Sequence, residues 1–343
     1  MSDLQGEMKR VKSRVDDLIL GRLLPESSPI REVDLLYRMM RDYPSRQAKG
    51  MRPFLCVTSC KAAGGTEEDA ILTAACIELF QNWILIHDDI EDGSELRRGE
   101  PSLHRKYSEG LALNAGDALH ARMWEALLRN KKSLGTEKTV ALLDEFSRMV
   151  NQTTEGQHME LGWVTARRWD LSEKDYYEMC TRKTSWYTIA SPCRLGAIIA
   201  GAGSGTLDQL REFGMALGVA FQIQDDSLNL VGDEGKYGKA KSDDILEGKR
   251  TLILLHLLGA AGQSERDKIV TIMNKERGAK TASDVSYVLS MVDRYDAIGY
   301  ARKRAAEFLK EALATLKGVK WSGDRDSVEM LSSFARFAVE REW

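Results

Sequence analysis

Apolar positions recur at steps of three and four residues along nearly the whole chain, the period of helices that bury one face. The pattern predicts helices over about 3–20, 31–42, 53–63, 111–131, 137–164, 173–202, 207–231, 249–260, 264–275, 280–316 with an interruption, and 324–341. Gly64 and Gly65 close one helix, and Thr66, three residues before Asp69, opens the next with the spacing of a capping box. The segment 70–86 that follows is apolar almost all round, so it is expected at the centre of the core. It carries Glu78, Gln81 and Asn82 and falls short of the ~20 apolar residues of a bilayer span. Pro192 interrupts a helical stretch and is expected to kink it. No strand-like alternation of useful length, fixed-period repeat or low-complexity linker is found. The expectation is one all-α domain over residues 1–343, built from about a dozen helices.

Composition changes little. With 43% hydrophobic and 29% charged residues and a formal net charge of -3, the chain reads as an ordinary globular protein with no bias toward nucleic acid. Its five cysteines, Cys56, Cys60, Cys76, Cys180 and Cys193, form no CxxC and no zinc-type spacing with histidine. Cys56 and Cys60 sit one turn apart on an apolar helix, where buried free thiols are expected, and this fits a reducing cytoplasm. The first residues, MSDLQGEMKRVKSRVDD, are too charged for a secretion leader.

The acids are where chemistry enters. In HDDIED, Asp88 and Asp92 lie four apart and share a helical face, while Asp89 points about 100° away. Like charges at that spacing repel, and a bound cation relieves the repulsion. In FQIQDDSLNL, Asp225 and Asn229 repeat the spacing, with Asp226 beside them. Hard oxygen donors of this kind suit magnesium, which binds one or two carboxylates together with substrate phosphate. A calcium loop does not fit: counted from Asp88, positions three and twelve would be Ile90 and Gly99. Cations flank both acid pairs: Lys49 and Arg52 in AKGMRP, Arg97 and Arg98 in LRRGEP, Lys183 with Thr184 in TRKTSW, Lys239 and Lys249 in KYGKAKSDDILEGKR. Arginine grips phosphate bidentately and lysine binds it as a point charge. One such pair alone is more often solvated surface; four around two acid clusters are less easily dismissed.

These motifs, in this order, resemble the two aspartate-rich motifs and basic segments of trans-isoprenyl diphosphate synthases, the polyprenyl synthetase family. The resemblance runs from about Lys49 to Thr251. It implies an isoprenoid-synthase helical bundle with a central active-site cavity. It further implies that Asp88, Asp92 and Asp225 hold Mg2+, with Asp89, Asp226 and Asn229 nearby. Lys49, Arg52, Arg98 and Gln81 would bind isopentenyl diphosphate. Arg97, Lys183, Thr184, Gln222, Lys239 and Lys249 would bind the allylic diphosphate, and Gln157 and Glu160 of EGQHMEL would line the cavity. Catalysis would rest on Arg97, Arg98, Lys183, Thr184 and Gln222. The usual GGKRxRP is QAKGMRP here, which removes two glycines and an arginine; Gln81 stands where many relatives have histidine, and Asn229 where many have aspartate.

The reaction so implied ionises the allylic diphosphate and condenses the cation with isopentenyl diphosphate in a 1′–4 sense. Trp83, five residues and ~7.5 Å along a helix before Asp88, is a candidate floor for the growing chain, although a core role is the commoner fate of such an aromatic. A lone aromatic there, with no insertion in the first motif, resembles the archaeal geranylgeranyl type. Farnesyl or longer products, a class I terpene cyclase and a non-catalytic regulatory subunit are the rival readings. Lys49, Arg52 and Arg98 weigh against the cyclase, and two intact acid motifs against the regulatory subunit. A homodimer, with no stable membrane insertion, completes the expectation.

Overall fold

The computed structural model describes residues 3–231 and 242–341. Lys239 falls outside them. The chain divides into two compact units: Met1–Arg148, Thr188–Arg211 and Gly318–Phe334 form one, and Met149–Tyr187, Glu212–Lys317 and Ala335–Trp343 the other. Both are helical, as the periodicity predicts.

The first unit is built around two apolar helices, α1 (Met51–Ala62) and α2 (Glu67–Glu91). Every position of α1 except Lys61 is buried. Thr66 caps α2, its hydroxyl accepting the Asp69 N–H at 3.2 Å, where the sequence places the cap. The helix α3 (Glu109–Leu128) packs along α2, and α4 (Ser191–Ala200) along α1. By length and composition α2 is apolar enough to cross a bilayer, but 67% of its most apolar window is buried inside the protein, which makes it a core helix. All five cysteines are free and buried. Burial pushes the thiols of Cys60 and Cys193 up to about 12.

Two features near the acid and basic motifs escape the sequence pattern. The first is a small hairpin just after α2, Leu96–Arg97 paired with Glu100–Pro101. Its two turn residues, Arg98 (φ 54°) and Gly99 (φ 80°), both take positive φ, as a two-residue primed turn requires. Strands of two residues leave no alternation to read. The second is the winding between residues 173 and 200. The helix α5 (Glu173–Cys180) gives way to π-helix over Thr181–Ala190 before α4 begins. Pro192, where a kink is expected, stands in the first turn of α4, directly after these π-helical residues. A proline offers no N–H and crowds the carbonyl four residues back, and a wider turn accommodates both.

In the second unit the π-helical segment is approached closely by Gly156 of the helix Lys131–Thr165. A Cβ there would lie 2.2 Å from the Lys183 backbone nitrogen, so only glycine allows the contact. That closeness places Lys183 and Thr184 beside Glu160 and the helix α6 (Ser204–Val231), which carries the second acid pair.

Candidate active site

In the first unit the acid pair splits. Asp88 and Asp92 are half-buried at the C-terminal end of α2, and Asp89 is completely buried. The Asp89 carboxylate accepts the Tyr43 hydroxyl at 2.5 Å and is gripped by Arg97, whose Nε donates at 2.9 and 3.1 Å and whose Nη2 also bonds it. The same Nη2 reaches Asp88 Oδ2 at 3.3 Å. Burial works against the Arg97 cation, but the carboxylates of Asp89 and Asp88 outweigh it and hold the guanidinium charged. Arg97, read from the resemblance as an allylic-diphosphate ligand, is thus bound to the first acid pair and only 8% exposed.

Arg98 emerges from the hairpin turn with its Nη1 on the Tyr43 carbonyl at 2.9 Å and near Asn82 Oδ1 at 3.5 Å. Gln81 is half-buried on α2, seven residues before Asp88 and so on the same helical face. Lys49 is exposed, and Arg52 is buried with its Nη2 on the Thr188 hydroxyl at 2.8 Å. The departure at Gly50 has a physical reason. It holds a left-handed φ of 65° at the start of α1, and a Cβ there would press to 2.6 Å of Lys12 Cβ.

In the second unit the acid pair splits the same way. Asp225 is half-buried, and Asp226 is buried, bonded by the Tyr176 hydroxyl at 2.7 Å and the Gln222 amide at 2.8 Å. Gln222 in turn accepts the Thr184 hydroxyl at 2.6 Å, so Thr184, Gln222 and Asp226 form one relay of hydrogen bonds. Lys183 pairs with Glu160. Lys249 pairs with Glu247 at 2.6 Å and lies 3.9 Å from Asp244, whose backbone N–H bonds Asn229. Asn229 commits its side-chain oxygen to the Asp244 backbone N–H at 3.1 Å.

Four contact residues were missed by the sequence reading. Tyr43 and Tyr176 cap the buried acids. Arg46 lays its guanidinium 4.5 Å from the Tyr43 ring centroid and bonds the carbonyls of Arg97 and Pro101 at 2.8 and 2.9 Å. Arg341, close to the end of the chain, pairs with Asp225, stacks 4.4 Å over Phe221 and accepts the Gln224 amide on its carbonyl at 2.7 Å. None carries a motif signal. Each is recognisable only because a buried carboxylate or backbone carbonyl needs a donor.

Burial raises the Asp226 carboxyl to about 6, against the lowering by Tyr176 and Gln222, with Glu160 and Asp225 adding to the rise. An unfolded carboxyl titrates near 4. Between about pH 4 and 6 the folded chain therefore holds a proton that the unfolded chain has lost. The associated stability is full below pH 4 and gone above pH 6. Asp226→Asn is accordingly expected to be more stable than the parent by ~1–3 kcal/mol at pH 7.5, with the advantage shrinking toward pH 4. Denaturant titrations of both proteins in EDTA at the two pH values check this; an equal deficit for the variant at both would refute it.

The acid sets suit magnesium. No group of three or more His, Cys, Asp or Glu able to cage a metal is found among the described residues. Magnesium needs no such cage, since it takes one or two carboxylates and completes its shell with water and phosphate oxygens. Moreover, α2 has no basic residue in its last turn. Asp88 and Asp92 therefore sit at the negative end of its dipole, an unfavourable place that a cation would relieve.

A predominantly helical chain with two such split acid pairs, an arginine hairpin beside one and a lysine–threonine segment beside the other has the architecture of the isoprenoid-synthase class. Residues 33–292 match the polyprenyl synthetase family. The chain is 33% identical over 343 residues to the geranylgeranyl diphosphate synthase of Sulfolobus acidocaldarius, covering 99% of each. It is 35% identical to a short chain isoprenyl diphosphate synthase of Methanothermobacter thermautotrophicus, over 86% of each. The crystal structure of geranylgeranyl pyrophosphate synthetase from Pyrococcus horikoshii matches with a TM-score of 0.85 at 32% identity, over 98% of this chain and 99% of that one. A geranylgeranyl pyrophosphate synthase from Corynebacterium glutamicum, complexed with isoprenyl diphosphate and magnesium, matches with a TM-score of 0.89 at 26% identity, over 99% of both. The chain belongs to the polyprenyl synthetase family and is a trans-isoprenyl diphosphate synthase, which joins isopentenyl diphosphate to an allylic diphosphate.

Proposed function

We propose that the enzyme makes geranylgeranyl diphosphate by a magnesium-dependent 1′–4 condensation, working in the cytoplasm as a homodimer of single-domain subunits. The observation that carries the metal reading is the Asp88–Asp92 face at the negative end of α2, with the arginine hairpin beside it. The product reading is supported by Trp83 and by the relatives that bear that activity in their names.

In this reading Asp88 and Asp92 of the first unit and Asp225 of the second would hold magnesium ions, which when bound would neutralise diphosphate charge as Lewis acids. Arg97 keeps Asp88 oriented and adds positive charge beside the leaving group. Lys183, Lys239 and Lys249 bind the allylic diphosphate, and Lys49, Arg52, Gln81 and Arg98 bind isopentenyl diphosphate. Once the allylic C–O bond breaks, the Thr184 oxygen and the Gln222 carbonyl turn their negative dipole ends toward the carbocation. The Asp226 bond fixes the amide so that its oxygen, rather than its NH2, faces Thr184. The isopentenyl double bond then attacks, and the departing diphosphate takes the proton released as the new double bond forms. No side chain serves as nucleophile.

The test is product analysis. Purified protein, labelled isopentenyl diphosphate, farnesyl diphosphate and magnesium should give a twenty-carbon alcohol after phosphatase treatment. Excess EDTA should abolish turnover, and added magnesium should restore it. Full activity in EDTA would refute the metal assignment. A shorter or longer alcohol would move the product, and a cyclic hydrocarbon would favour a cyclase.

A further inference from the structure

Tyr43 is fully buried, and it bonds Asp89 of the first acid motif together with the segments that flank that motif. Its hydroxyl donates to Asp89 at 2.5 Å and accepts the Leu103 backbone N–H at 3.2 Å, tying the end of α2 to the segment that follows the hairpin. Its carbonyl receives Arg98 at 2.9 Å. Its ring supports Arg46, which holds the hairpin by the carbonyls of Arg97 and Pro101. The two adjacent arginines are thus fixed by different atoms of one residue. Arg98 is held by the main chain of Tyr43, whereas Arg97 is held through the hydroxyl by way of Asp89.

We infer that Tyr43 is a positioning residue that divides the arginine pair: its hydroxyl sets how Arg97 is shared between Asp89 and Asp88, and its carbonyl independently sets Arg98. The inference rests on the substrate assignments proposed above, in which Arg97 serves the allylic side and Arg98 the isopentenyl side. The physical argument is a competition. Asp89 is buried and meets its need for donors with two groups, the phenol and the guanidinium. If the phenol is removed, Asp89 Oδ2 must draw more from Arg97. The contact surrendered is the longest one, Nη2 to Asp88 at 3.3 Å. Asp88 then loses its contact with Arg97, while the Arg98 bond to a main-chain oxygen is untouched.

Tyr43→Phe tests this, because phenylalanine keeps the ring under Arg46 and the carbonyl under Arg98. The expected result is a rise of about tenfold in the Michaelis constant for the allylic diphosphate, or an equal fall in kcat, the weight of one charge-assisted hydrogen bond. The Michaelis constant for isopentenyl diphosphate should stay within about twofold. Asp89→Asn, which weakens the rival claim on Arg97, should not reproduce that rise, and it should likewise spare the Michaelis constant for isopentenyl diphosphate. If Tyr43→Phe merely lowers the melting temperature and leaves both Michaelis constants alone, or raises both equally, the inference is overturned. A second readout does not depend on prenyl transfer. Magnesium with inorganic pyrophosphate should raise the melting temperature of the parent more than that of Tyr43→Phe; equal rises overturn the inference. If the parent transfers no prenyl group but this difference persists, the proposed substrate assignment fails while the role of Tyr43 stands.

Discussion

Asp88→Ala and Asp225→Ala should each lower turnover on the order of 10²–10³-fold, the scale seen when one preorganised group that stabilises transition-state charge is removed. The structure sharpens this expectation, because among the adjacent acids Asp88 and Asp89, and likewise Asp225 and Asp226, only the first remains half-exposed. Asp89 and Asp226 are buried under Tyr43 and Tyr176. They sit next to Asp88 and Asp225 in sequence but not at the same helical phase, so neither can replace its neighbour. The two substitutions differ in their structural side effects. Loss of the Asp88 carboxylate leaves Arg97 still paired with Asp89. Loss of the Asp225 carboxylate strips Arg341, whose side chain is 5% exposed, of an ion-pair partner. Because Asp225 is itself half-exposed, the cost should fall below that of breaking a fully buried pair, about 3–5 kcal/mol. Asp225→Asn, which retains an acceptor, therefore belongs beside the alanine variant. Near-parental rates in folded Asp88→Ala or Asp225→Asn would mean that the acids are structural.

Asp89→Ala is the instructive contrast. Here Arg97 would be left buried without the carboxylate that holds it, so the first consequence is instability, and any loss of activity follows from that. An experiment that mutates the three acids of the first motif without measuring stability would treat Asp89 and its neighbours as equivalent. The geometry says that they are not.

What was legible in the sequence is what periodicity and motif spacing encode. The central position of α2 followed from an apolar surface all round, and its start from Thr66 and Asp69. The split of each acid pair was half-visible, since residues 100° apart on a helix cannot share a face. What filled the other face was not. Tyr43 lies 46 residues from Asp89 in sequence, Tyr176 lies 50 from Asp226, and Arg341 lies 116 from Asp225. Local patterns carry no information about such partners; only the tertiary fold brings them together. The hairpin was lost for the opposite reason. Its strands are two residues long, too short for a period, and its positive φ at Arg98 is unusual for a residue other than glycine, asparagine or aspartate. The π-helical segment was likewise hidden, because a helix of wider turn keeps nearly the same apolar rhythm over ten residues.

Trp83→Ala should lengthen the product. In the structure Trp83 is buried on α2 and its ring stacks on His120 of α3 with centroids 3.9 Å apart, with Phe80 edge-on at 5.4 Å. Gly116 of α3 leaves room for the neighbouring His87: a Cβ there would press to within 2.5 Å of it and would meet the indole only at 3.4 Å. The indole Nε1 has no hydrogen-bond partner among the described residues. If bulk at this level stops elongation, alanine should allow addition beyond twenty carbons, and helix propensity favours the replacement. Truncation of a buried tryptophan costs roughly 3–5 kcal/mol, so the variant must first be shown to melt cooperatively above the assay temperature. A purely structural Trp83 would give a less stable enzyme with the parent's product. The extracted alcohols of a folded Trp83→Ala enzyme decide between these: a shift to longer chains makes Trp83 the floor, and an unchanged distribution moves that role to other side chains.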